Sequence, residues 1–223
     1  MMNSYNTTSK MKVSGFADLF GSEEALRNSK DVRNVLISEL YSFDNHPFKL
    51  KDDKRMRELI ESIRENGVLV PGIARPRAKG GYEIISGHSR KHACEIVGIT
   101  TMPMIIRNLD DDEAVIAMVD SNIQREDILP SEKALAFRLK YEAVKHQGKK
   151  DDSTADVEEI LGENFKTVQR FIRLTYLIDG LMNMVDAKKL KFIPAVNISF
   201  LEPDEQKCVL SIIKKMDVSI TCK

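Results

Sequence analysis

Strand-like apolar runs stop before Pro130, and everything after that proline is patterned for helices. That break limits the fold more than any other feature of the chain. Before it, helical and extended stretches alternate. Met56, Leu59, Ile60 and Ile63 recur at i, i+3, i+4 and i+7, one stripe along a helix that Gly67 ends. Two short extended runs follow, Leu69–Arg75 and Tyr82–Ile85, parted by the turn-like Ala78-Lys79-Gly80-Gly81. A helix is expected over about Ser89–Val97, stopped by Gly98. A strand over Met102–Arg107 comes next, with Pro103 near its start, where a missing N–H is tolerated. The acidic run Asp110–Glu113 suits the positive end of a helix dipole and opens a helix with Ala114, Val115, Met118 and Val119 inward. Such alternation predicts a compact α/β unit.

Beyond the break, a long helix is expected over Ser131–His146, with proline in its first turn. A polar connector, Gly148–Asp152, leads to further helices and a last one through Val209–Met216. The expected organisation is a polar tail over 1–33, an α/β domain over 34–128 and an all-α domain over 129–223. Within the tail, Phe16, Leu19 and Phe20 mark a short helical or docking segment.

Composition narrows the class. No apolar run approaches the ~20 residues of a membrane-spanning helix, and the N-terminus lacks the apolar stretch of a secretory signal. Cys94, Cys208 and Cys222 are far apart and lack metal-ligand spacing, so reduced thiols in a cytoplasmic protein are expected. With 34 basic and 34 acidic residues the chain carries no net charge, unlike a nonspecific DNA coater. Any nucleic-acid surface must come from local clustering.

Such clustering appears behind the connector. Ser153-Thr154-Ala155-Asp156 has the form of a capping box ahead of an apolar stripe, Val157, Ile160 and Leu161. Gly162-Glu163-Asn164 makes a tight turn, and a second helix opens at about Phe165 and runs to Leu177, with Val168, Phe171, Ile172 and Thr175 inward. Its other face carries Lys166, Thr167, Gln169, Arg170 and Arg173. Two short helices joined by a glycine turn, the second basic, describe a helix-turn-helix; a plain helical hairpin with a solvated face has the same pattern. In the first reading Gln169 and Arg170 reach base edges, where Arg pairs with guanine and Gln with adenine. Lys166 and Arg173 then grip phosphates, with Asn164 and Thr167 at the helix start.

Three boxes in the first half bear on the choice: Gly67-Val-Leu-Val-Pro71-Gly-Ile-Ala-Arg75-Pro, Ser86-Gly87-His88-Ser89-Arg90-Lys91-His92-Ala93, and Asp120-Ser121-Asn122-Ile123-Gln124-Arg125-Glu126-Asp127. In order and spacing they resemble the boxes of the ParB N-terminal domain: a G-hydrophobic-hydrophobic-Q-P strand, a G-E-R-R-x-R-A turn into a helix, and an E-N-x-Q-R stretch. Leu129-Pro130-Ser131-Glu132-Lys133-Ala134 is similar to the family's L-x-P-x-E-x-A helix start, one residue shorter. The ordered set, with a helix-turn-helix behind it, covers about residues 40–180.

The resemblance implies an α/β ParB-like domain followed by an all-α helix-turn-helix domain. It also implies a homodimer that loads at an inverted-repeat, centromere-like site on double-stranded DNA, is closed into a sliding clamp by CTP with Mg2+, and works beside a ParA-type ATPase on nucleoid or plasmid DNA, away from any membrane. On that basis Pro71, Arg75, Ser86, Gly87, His88, Ser89, Arg90, Asn122, Gln124 and Arg125 are expected to bind the nucleotide, with Asn122 at the Mg2+. The chemistry agrees: a glycine before a helix lets backbone approach phosphate, and the helix N-terminus supplies N–H donors. Arg90 is placed to neutralise triphosphate oxygens.

This sequence departs from the family at three points. His88-Ser89-Arg90 stands for Glu-Arg-Arg, Ser121 for the Glu before Asn, and Val70 for the Gln before proline. CTP hydrolysis is therefore expected to be slow or absent. The family's C-terminal dimerisation domain and its basic ParA-activating segment have no clear counterpart. Rival readings on this fold are a transcriptional or nucleoid-occlusion regulator, a nuclease and a small-molecule kinase. A nuclease would need clustered carboxylates, where the third box offers Asp120 with Glu126 or Asp127; a kinase would keep a base carboxylate where His88 and Ser89 stand. The histidines His46, His88, His92 and His146 are expected on helix surfaces rather than on a metal, since no cysteine or carboxylate completes a zinc set.

Overall fold

The structure is a computed structural model and describes residues 32–43, 46–123, 125, 127–146 and 162–216. Its first part is a sheet covered on both faces. The strands are β1 (Val32–Leu36), β2 (Leu40–Tyr41), β3 (Gly72–Pro76), β4 (Tyr82–Ser86) and β5 (Thr101–Ile106), in the order β1-β5-β3-β4-β2. β1 runs antiparallel to β5, β3 antiparallel to β4, while β3–β5 and β2–β4 are parallel. The helices among them are α1 (Lys54–Asn66), α2 (His88–Val97) and α3 (Asp111–Ile123).

Strand side chains alternate between two cores, as the period of two requires. Ile73, Ile85 and Ile105 face Ala114, Ala117 and Met118 of α3. Ala74, Ile84, Met102 and Met104 form the opposite face, bordered by Ile37 and Val68. Those two residues also border the core of the α1–α2 pair, built on Met56, Ile63, Ala93 and Cys94. Burial on both faces explains why these strands read as continuous apolar runs rather than alternating ones.

The helix ends follow local chemistry. The Asp53 carboxylate accepts from the Met56 N–H at 3.0 Å, and Gly67 and Gly98 end α1 and α2 at φ 67° and 84°. At α3, Asp110 and Glu113 exchange reciprocal backbone-to-carboxylate bonds of 3.0 and 2.8 Å, so the acidic run is a capping box as well as a match to the dipole.

The second part is helical throughout its described residues: α4 (Pro130–His146), α5 (Phe165–Leu174), α6 (Asp179–Asp186), α7 (Phe192–Ile198) and α8 (Pro203–Met216). The expected order, α/β and then all-α, holds. α4 joins the two parts: Ala136 belongs to the core under the sheet, Ala134 to the core of the helical unit, and Phe137 packs on Val168 of α5.

Several boundaries differ from expectation. β1 takes Val32 and Arg33 out of the stretch read as a tail, and β1 and β2 were not legible as strands. The run expected from Leu69 becomes a strand only at Gly72, because Pro71 has no N–H and the carbonyls of Val70 and Pro71 accept from Arg90 instead. The helix expected to reach Leu177 ends at Leu174, and residues 175–177 form a turn closed by Thr175 N–H to Ile172 C=O. The cluster at Phe16, Leu19 and Phe20, the connector Gly148–Asp152 and the first helix of the expected pair, residues 153–161, lie outside the described residues.

Candidate functional site

A cleft of about 280 Å³ opens where the β4–α2 turn, the C-terminal end of α3 and the loop before α1 converge. Two glycines set the turn at its edge, Gly87 in the lining and Gly72 behind it. Gly87 sits between β4 and α2 at φ 118°, a conformation side chains rarely adopt, and a Cβ there would come within 3.2 Å of Gly72 Cα. The turn therefore lies against the start of β3, with the first N–H groups of α2 directed as an anion site requires.

The second box lines this cleft with Ser86, Gly87, His88, Ser89 and Arg90, and the third box adds Ser121, Asn122 and Arg125. Seven residues expected to bind nucleotide thus come together: Ser86, Gly87, His88, Ser89, Arg90, Asn122 and Arg125. Arg90 lies within the lining, but its Nη1 donates to the carbonyls of Val70 at 2.6 Å and Pro71 at 2.8 Å. It holds the first box against the second as well as adding positive charge.

Other expected residues are placed differently. Pro71 enters through that carbonyl alone. Arg75 does not line the cleft; it pairs with Glu83 at 2.6 Å and Asp111 at 2.7 Å, which hold its guanidinium above its ordinary pKa despite burial. It ties β3 to β4 and to the start of α3. Gln124 lies outside the described residues.

The sequence did not single out the loop before α1, which adds His46, Phe48, Lys49 and Leu50, nor Arg55 of α1. These residues stand more than thirty positions from either of the boxes that line the cleft, and no local pattern marks them. His46 and His88 meet with ring centroids 4.1 Å apart and planes tilted by 54°, so the expectation of surface histidines fails for this pair. Burial first, then His46 and Lys91, push His88 down to about 3; burial likewise lowers His46. Both are neutral at pH 7, and the Nε2 atoms of both rings are sealed from solvent without a hydrogen-bond partner.

Among the described residues no Asp or Glu lines the cleft, while Lys49, Arg55, Arg90 and Arg125 do. Asp127 stands just behind, 3.0 Å from Arg55 and 3.8 Å from Arg125. A triphosphate fits this donor set. A protein-held Mg2+ does not, because among the described residues the lining offers a hard cation the Asn122 amide oxygen and hydroxyls but no carboxylate. The Asn122 Nδ2 donates to Met118 C=O and Ser121 Oγ, and the Ser121 hydroxyl donates to Met118 C=O. Asp120, the carboxylate of the third box, pairs with the buried Lys140 of α4 and does not line the cleft. Among the described residues no group of three or more His, Cys, Asp or Glu could hold a metal. A larger cleft of about 550 Å³, lined by Arg33, Glu39, Gly81, Tyr82 and Asn108 among others, has no helix N-terminus among its described lining residues.

In the helical unit, Gly162 takes φ 69° in the turn and the Asn164 side chain accepts from the Lys166 N–H at 3.0 Å, capping α5. Val168 and Leu174 are buried, and Lys166 and Arg170 are exposed, with Thr167 and Gln169 half-buried between. Arg173 departs from its expected place. Its Nη2 donates to Ser199 C=O at 2.6 Å, and its guanidinium lies over Tyr176 and Phe200. It fastens α5 to the end of α7 rather than facing outward.

Comparison with known proteins agrees with this architecture. Residues 21–123 match the ParB N-terminal domain, a span that begins inside the expected tail. The chain is 33% identical over 155 residues to the probable chromosome 1-partitioning protein ParB of Deinococcus radiodurans, covering 70% of this chain and 51% of that protein. It is 29% identical over 192 residues to the probable chromosome-partitioning protein ParB of Vibrio cholerae, covering 85% and 63%. A nucleoid occlusion protein of Halalkalibacterium halodurans is 28% identical over 179 residues, covering 80% and 61%. The chain thus spans between half and two thirds of the length of these relatives. Among solved structures, the C-terminally truncated ParB of Caulobacter crescentus complexed to the centromeric parS site matches with a TM-score of 0.54 at 23% identity, over 84% of this chain and 94% of that one. Among the described residues no helix is long and apolar enough to cross a membrane. The chain carries a ParB N-terminal domain over residues 21–123 and is similar to ParB partition proteins over most of its own length.

Proposed function

We propose that this chain is a partition protein that binds a centromere-like DNA site as a homodimer and is switched by CTP. The observation that carries the reading is the cleft itself: a glycine turn and helix N-terminus ringed by Lys49, Arg55, Arg90 and Arg125. Phosphate oxygens meet backbone N–H donors and cations there. Mg2+ would arrive on the phosphates, since the described lining residues include no carboxylate to hold it. The parS complex of the Caulobacter relative and the partition role of the relatives' names favour DNA as partner. The exposed Lys166 and Arg170 on α5 give that partner a local basic face.

The same reading offers a route between the two ligands. Glu132, in the first turn of α4, is 5% exposed; its Oε1 accepts from the Lys49 N–H at 3.0 Å and its Oε2 from the Leu129 N–H at 3.1 Å. A shift of the cleft loop therefore bears on α4, and α4 carries α5 through Phe137 and Phe171, whose rings lie 5.5 Å apart. In this scheme the protein is cytoplasmic, on nucleoid or plasmid DNA, with a ParA-type ATPase as partner. The similarity to a nucleoid occlusion protein favours, as second reading, a regulator that uses the same switch. Calorimetry with CTP, ATP, GTP and UTP, with and without inverted-repeat DNA, tests the proposal. Binding of CTP above the other three supports it, and no nucleotide binding in either condition overturns it.

A further inference from the structure

Where the family pattern has a carboxylate, this chain has His88, and the fold brings a second imidazole, His46, onto it. His46 Nδ1 lies 2.9 Å from the Phe48 carbonyl, so the neutral ring donates from Nδ1 and leaves Nε2 a bare lone pair. That atom and His88 Nε2 are both buried with no partner among protein groups. A buried acceptor left in this state costs stability unless something arrives to satisfy it. The pair lines the same cleft as the helix N-terminus and four cations.

We propose that a polyphosphate entering this cleft brings a proton with it, taken up from solvent by the His46–His88 pair. The inference rests on the nucleotide reading above. The groups acting on the pair come from every side. Lys49 is on its own loop, Arg55 on α1, Arg90 and Lys91 on α2, and Arg125 follows α3. Among the described residues, Glu132 of α4 is the carboxylate that acts on His46. Burial first, and then this surplus of positive charge among the described residues, keeps both rings neutral. A bound triphosphate reverses the sign of the local field, and the imidazolium becomes the favoured form. The reaction balances as protein plus nucleotide plus H+ giving the complex, with one N–H bond formed on an imidazole nitrogen. By linkage, affinity then rises as pH falls, by up to about tenfold per unit for one full proton. Only one proton is expected, because two imidazolium rings at this separation repel.

The experiment is titration of the full chain with CTP at pH 6, 7 and 8, in pairs of buffers with different ionisation enthalpies. The wild type is expected to show a binding enthalpy that depends on the buffer, to take up protons and to bind more tightly at pH 6. Protonation of the nucleotide's own terminal phosphate is common to all samples and is subtracted with His46→Gln plus His88→Gln, which should lose the extra uptake. Imidazole C–H resonances of the wild type, followed through the same pH range with and without CTP, give a reading that needs no variant. In the complex one shared proton should appear as an upward-shifted titration in the resonances of His46, of His88 or of both, among the four histidines. CTP binding with no proton uptake beyond that of the double variant overturns the inference and leaves the nucleotide reading standing. No binding of CTP or of inorganic tripolyphosphate at any pH overturns both.

Discussion

Arg90 shows how one residue joins sequence pattern to site. Its place after Gly87 predicted a phosphate contact, while the fold also gives its Nη1 to the carbonyls of Val70 and Pro71. Arg90→Ala should weaken CTP binding by roughly 1.5–3 kcal/mol, the range for a charge-assisted hydrogen bond, as read by calorimetry. Ser121 makes the opposite point. Its hydroxyl turns back on Met118 C=O and carries no charge, where the family pattern has Glu. Phosphate release from CTP should therefore be slow in the wild type and faster in Ser121→Glu; rapid turnover by the unmodified chain would contradict this. A third expectation is a pH effect on folding. His88 is held at about 3 in the folded chain against 6.5 in its ordinary state, so the unfolded chain binds the extra proton between those values. Stability should fall as pH drops below about 6.5, and His88→Gln should flatten the denaturant midpoints between pH 7.5 and 5. Gly87, Arg90 and Asn122 were legible because the boxes are local. His46 was not, since a lone histidine in a loop carries no pattern until the fold brings it against His88.

At the scale of elements, legibility followed length and burial. α1, α3 and α4 carry long apolar stripes or strong caps; α1 and α4 were readable to within two residues, and α3 at its start. β1 alternates poorly and β2 has two residues, so neither rises above its surroundings until β5 and β4 supply their hydrogen bonds. The register of α3 against α4 depends on a contact that no sequence period shows. Asp120 of α3 is bonded to Lys140 of α4, their side chains 12% and 3% exposed. A charge so enclosed is costly once its partner is gone. Lys140→Met should lower stability by about 3–5 kcal/mol in chemical denaturation, whereas Asp120→Leu with Lys140→Met should recover most of that loss. If the double variant is as unstable as the single one, the pair is a packing requirement and not an electrostatic one.

Over the whole molecule, the balance of 34 basic and 34 acidic residues leaves little long-range pull toward DNA, so under the proposed function recognition would be built from short-range contacts on α5. The fold refines which contacts those are. Arg173 is withdrawn by Ser199, Tyr176 and Phe200, and the outward set reduces to Lys166, Thr167, Gln169 and Arg170, with Asn164 engaged as the cap. Gln169 and Arg170 stand in the second turn of α5, within reach of base edges if its N-terminus enters a major groove. Losing either should cost ~1–3 kcal/mol and relax sequence preference at one or two positions. Lys166, at the start of the helix, should act on phosphate. Its loss should weaken all sequences alike and reduce the slope of log K against log salt by about one unit. Arg173→Ala should instead lower thermal stability with little change in that slope, because its charge is already engaged within the protein. One helix this short reads few base pairs, so a two-fold pair of chains on an inverted repeat is needed for a specific site. Anisotropy on Lys166→Ala, Gln169→Ala, Arg170→Ala and Arg173→Ala, over a salt series and on inverted-repeat and scrambled DNA, separates these roles. Equal behaviour of all four variants and the wild type would make α5 a packing helix and move the DNA surface elsewhere.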